Sequence, residues 1–104
     1  MKRYMVRITE EALADMEQVY HHIAYVLCAP ENAMEQYSRI ADAILTLETM
    51  PERIRIMDAE PERSKEMRRL LVDHYSVFYV IREDAVIVTD VLYSESDIES
   101  RLKG

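Results

Sequence analysis

The sequence predicts an α+β domain in which a helical hairpin covers one face of an antiparallel sheet, in the order β-α-α-β-β-β. Three apolar segments rich in β-branched and aromatic residues stand in a row between Met67 and Tyr93. They are parted only by Asp73-His74 and by Arg82-Glu83-Asp84-Ala85, the spacing of a meander. Two stretches with apolar residues at three- and four-residue steps precede them, and an alternating segment opens the chain. With 104 residues, 49% of them hydrophobic and 32% charged, the chain suits a single domain over 1–104 and lies outside the composition of disordered chains.

Tyr4, Val6 and Ile8 alternate with Arg3, Met5 and Arg7, the pattern of a strand with one buried face. Thr9 offers a side-chain oxygen as helix N-cap, and Glu10-Glu11 place negative charge where the helix dipole favours it. The stripe Ala12, Leu13, Met16, Val19, Tyr20, Ile23, Ala24, Leu27 carries this helix to about Cys28. Pro30 suits the first turn of a second helix, from Glu31 to Glu48. Its stripe is Ala33, Tyr37, Ile40, Ala41, Ile44 and Leu47, widened by Met34 and Leu45. So short a link makes the two helices antiparallel neighbours. Pro51 to Lys65 reads as a loop tacked down by Ile54, Ile56 and Met57. In the strand from Met67 to Val72, Arg68 and Arg69 have opposite parity and point to opposite faces. The segment from Tyr75 to Ile81 is apolar on both faces and so is central; Ala85 to Tyr93 is its partner. Glu95 to Leu102 can close the chain with a short C-terminal helix capped by Ser94 or Ser96.

Charge is divided unevenly along the chain. Residues 10 to 49 hold eight acids against one base, Arg39, whereas residues 53 to 69 hold six bases against four acids, so only the latter can welcome phosphate. Cys28 is alone, which rules out an internal disulfide and favours a reducing cytoplasm. No stretch has the h-region of a signal peptide or the length of a membrane span. The sole glycine is Gly104, so glycine-rich phosphate cradles are excluded, and no cofactor is expected.

The order strand, helical hairpin, Leu47-x-x-x-Pro51, then Arg68-x-Leu70-x-Val72-x-x-Tyr75-x-Val77-Phe78-Tyr79 and a last strand ending Val91-Leu92-Tyr93 resembles the RelE/ParE superfamily of type II toxins. The resemblance covers Tyr4 to Leu102 and implies a toxin of a plasmid-stabilisation module. Its partner is a cognate antitoxin whose C-terminal segment wraps and silences it in a hetero-oligomer. RelE-like members cut messenger RNA on the ribosome without a metal; ParE-like members poison DNA gyrase. For the RelE-like reaction the matching candidates are Arg68, with Arg69 beside it, and Tyr93 at the end of the last strand. Metal-free cleavage needs cations clustered about a proton carrier. Many relatives carry a basic cluster after that strand, where this chain has Ser94-Glu95-Ser96-Asp97. Negative charge there opposes an anionic transition state, and a net charge of −7 opposes docking on ribosomal RNA. The ParE-like branch is favoured; the alternatives are a ribosome-dependent endonuclease and a degenerate homologue that only binds an antitoxin.

Several of these residues also have plain structural roles. Arg68 and Arg69 can hold Glu62, Glu66 or an acidic helix residue. His21 and Glu17 lack a third metal ligand, and His74 is simplest as a solvent-facing turn residue. Tyr75 and Tyr79 fit aromatic packing, and the seven methionines fit core filling.

Overall fold

A computed structural model describes residues 2–94. Strand β1 (Met5–Ile8) leads through Thr9 into helix α1 (Glu10–His21). The Thr9 hydroxyl accepts the Ala12 N–H at 3.1 Å, so the expected cap is in place. The helix does not run evenly to Cys28: it widens into a π-turn over His22–Val26, and Cys28 turns the chain with φ 54°. Helix α2 (Pro30–Leu45) starts with the proline in its first turn and tightens into a 3₁₀ turn, Thr46–Glu48. After a second 3₁₀ turn at Pro51–Arg53 come strands β2 (Arg68–Val72), β3 (Tyr75–Arg82) and β4 (Ala85–Tyr93). The expected C-terminal helix lies outside the described residues.

The sheet order is β1-β4-β3-β2. The meander is antiparallel as expected, with two-residue loops at Asp73-His74 and Glu83-Asp84. With no glycine at hand, Asp73 and Glu83 themselves take the left-handed backbone, each at φ 56°. Strand β1 pairs parallel to β4, Met5 opposite Ala85 through Ile8 opposite Val88, which makes the sheet mixed. The helical hairpin supplies the crossover that a parallel pair requires.

One core joins Met16, Val19 and Ile23 of α1, Ala33, Ile40 and Ile44 of α2, and Val77, Tyr79, Val86, Val88 and Val91 of the sheet. The stripe of α1 is rotated from its expected setting. Leu13 and Leu27 stand outward, and Asp15 takes an inward position at 3% exposure. On α2 the reading holds for Ala33, Ile40 and Ile44, while Met34 and Leu45 face solvent. In β4 a bulge sets the faces. Phe78 is opposite Asp90 but Tyr79 is opposite Val88, leaving Thr89 as the extra residue. Without it Asp90 would follow Val88 into the core; with it Val91 and Tyr93 share the face of Val86 and Val88.

The other face of the sheet is not bare. Met67, Phe78 and Leu92 form a second buried cluster, with Met57 and Val80 packed against it. Of the three residues expected to tack down the long loop, Ile54 packs on the main core, Met57 on this cluster, and Ile56 bridges to Arg68.

Candidate functional site

Arg68 lies opposite Tyr79 in the β2–β3 pairing and therefore shares the helix-side face. Its guanidinium donates to the carbonyls of Ile54 and Glu52, so it pins the loop that enters β2. Its Nε is buried with no hydrogen-bond partner. The Tyr79 hydroxyl donates to the Pro51 carbonyl at 2.7 Å, a second tie between the sheet and the same loop. Arg53 adds a third from the loop side, donating to the carbonyls of Thr49 and Met50.

Burial pushes the Tyr79 phenol above its usual 10.0, with the Arg68 and Arg53 cations working in the other direction. A phenol whose folded pKa lies above the unfolded one holds its proton more tightly when folded. Its stabilisation is therefore complete below about pH 10 and is lost as pH rises through the folded value. Tyr75 adds to the same alkaline loss, because burial and then the nearby Tyr93 raise it too. Tyr79→Phe should cost about 1–2 kcal/mol at neutral pH, by stranding the Pro51 carbonyl. It should also shrink, without abolishing, the fall in stability above pH 10; urea titrations of both proteins at pH 8 and 11 measure this.

Arg69 lies opposite Phe78 and projects from the second face. Its Nε donates to the Ser76 hydroxyl at 2.8 Å, its guanidinium carbon is 6.0 Å from the centre of the Phe78 ring, and Ser76 Oγ is 2.8 Å from Ser94 Oγ. An arginine, a fully buried serine and the serine that follows β4 thus form one polar chain beneath an apolar cluster. Ser76 went unnoticed in the sequence; the signal was a lone hydroxyl within an otherwise apolar central strand. Neither arginine pairs with Glu62 or Glu66 among the described residues. Glu66 is 3.6 Å from Arg82 instead, and Glu62 is buried with Oε2 lacking a partner.

Tyr93 ends β4 opposite Tyr75, their rings edge to face with centroids 5.6 Å apart. It therefore belongs to the helix-side face, at the end of the sheet away from Arg68, whose row runs through Tyr79 to Val88. The three sequence candidates are not brought together: Arg69 is on one face, while Arg68 and Tyr93 are on the other, four β2 positions apart in register and two strands across. His74 is exposed in its turn. His21 stacks on Tyr25 at 5.4 Å and meets the Tyr20 ring edge-on. Among the described residues no group of three His, Cys, Asp or Glu side chains could hold a metal ion, and no helix is long and apolar enough to cross a membrane.

A family profile described as ParE toxin of type II toxin-antitoxin system, parDE, matches residues 6–98. Among solved structures the chain is similar to one from the chromosomal ParDE TA system from P. aeruginosa, with a TM-score of 0.75. Identity is 20%, and the alignment covers 89% of this chain and 98% of that one, a likeness of fold. No curated protein sequence matches the chain.

Proposed function

This chain belongs to the family of ParE toxins of type II toxin-antitoxin systems, and from that membership we propose that it arrests growth by binding a protein target, DNA gyrase, until a cognate antitoxin occupies it. The observation that carries the choice of binding over RNA cleavage is the separation of Arg68, Arg69 and Tyr93. A phosphorane needs cations and a proton carrier around one phosphorus, within about 3 Å of the atoms they serve. Side chains divided between the two faces of a sheet do not meet that demand. The chain's net charge of −7 also repels a phosphate backbone, whereas a protein surface presents no such uniform field.

The test is tight induction of the gene with and without the antitoxin frame beside it. Growth should stop only when the chain is made alone, and purified chain should block supercoiling by purified gyrase. Primer extension on transcripts after induction should show no cuts at ribosomal A sites. Unimpaired growth, or A-site cuts that vanish in Arg68→Ala, would sink the reading.

A further inference from the structure

The solvent side of the α1–α2 hairpin carries a feature that neither the core nor the sheet uses. Between the helices lies a groove of about 250 Å³ lined by Glu17, Tyr20, His21, Met34 and Tyr37. Its aromatic groups form a continuous ladder: Tyr37 meets Tyr20 edge to face at 6.4 Å, Tyr20 meets His21 at 5.9 Å, and His21 stacks on Tyr25. The apolar surface continues past the groove, since Met34 is 55% exposed and Tyr25 70%, with Val26 and Leu27 beside it in the π-turn region. Contiguous apolar surface of this kind marks a place where another chain sits.

Charge identifies the occupant. Glu17 is in the groove wall, and Glu31, Glu35 and Asp42 line the neighbouring hollow on α2. None of the four makes an ion pair among the described residues, and the one base of the two helices, Arg39, is turned to Asp73 at 3.4 Å. An apolar trough flanked by unneutralised carboxylates complements a segment that pairs apolar residues with Lys or Arg. It repels a second copy of its own acidic hairpin.

We propose that this groove docks the toxin-binding segment of the antitoxin, and that the segment is cationic and amphipathic. Its apolar side chains lie on Tyr20, Met34 and Tyr37, and its cations face Glu17 and Glu35. This rests on the reading that an antitoxin silences the chain, and adds where it sits and the sign of its charge.

The experiment uses the complex of the full chain with the antitoxin encoded beside it. Glu17→Lys/Glu35→Lys changes two exposed side chains in mid-helix, and circular dichroism checks that it folds. Its affinity for the antitoxin should fall at least about tenfold at low salt, with a flatter dependence on ionic strength, while Glu83→Lys at the β3–β4 turn stays within about twofold. Amides between residues 17 and 37 should gain hydrogen-exchange protection in the complex. Wild-type affinity in the double variant, with growth still rescued by the antitoxin, overturns the inference and leaves the toxin–antitoxin reading standing. Wild-type chain that no antitoxin binds or neutralises ends that reading and the inference with it. A chain that sediments as a dimer split by Met34→Asp places a second copy in the groove, and also overturns the inference.

Discussion

Asp15→Ala should lower stability by about 3 kcal/mol, the largest loss expected of any polar substitution in the described fold. Strand β1 ends at Ile8, opposite Val88, so beyond that point β4 has no strand on its outer side. The Val91 N–H would be stranded inside the domain; the Asp15 carboxylate, 76 residues away in sequence, accepts it at 3.0 Å. The bond therefore fastens α1 to the sheet where the ladder stops, and it explains why an aspartate occupies an inward position of an apolar stripe. Alanine removes the acceptor, strands the N–H and opens a small void. Asparagine keeps an acceptor oxygen and should lose only about half as much. Urea unfolding should show a lower midpoint at unchanged slope for both. A loss below about 1 kcal/mol for alanine would mean that water reaches Val91 and that the carboxylate is dispensable.

Features set by neighbours in sequence were legible: the Thr9 cap, Pro30 in the first turn of α2, the two hairpins and the opposite parities of Arg68 and Arg69 all depend on residues a few positions apart. Contacts between distant segments were not. The parallel pairing of β1 with β4 leaves no local mark, and the rotation of α1 follows from a bond between residues 15 and 91. The bulge at Thr89 shows the difference within one strand. Asp90 among valines signalled that strict alternation fails, but only the pairing with β3 fixes which residue is extra and hence that Tyr93 stands on the helix-side face. The candidate site was misjudged for the same reason. Arg68, Arg69 and Tyr93 align with the motif of a family, yet their grouping depends on a register that no single segment encodes. The acidity of both helices was plain in the sequence. The groove between them required Tyr20 and Tyr37 to meet across the hairpin.

Phe78→Ala should cost about 3–5 kcal/mol, as much as a truncation in the main core, although Phe78 lies on the face away from the helices. An open sheet face would tolerate the change, because a ring already in contact with water gives up little when it is removed. Phe78 is instead fully buried, closed over by Met67, Leu92, Met57 and Val80, with the Arg69 guanidinium 6.0 Å from its ring. The cavity would undercut the Met67 entry to β2 and remove the surface on which Arg69 lies, so the Arg69–Ser76–Ser94 chain should loosen with it. Phe78→Leu keeps most of the volume and should lose less than about 2 kcal/mol. Thermal melts of the pair, read with hydrogen exchange at the Ser76 amide, separate packing loss from polar loss. Faster exchange in both variants alike would locate the effect in the polar chain, whereas faster exchange only in the alanine variant assigns it to the void. A loss under about 1 kcal/mol in Phe78→Ala would show that this face is open in solution, and a guest polypeptide could then add there rather than in the groove between the helices.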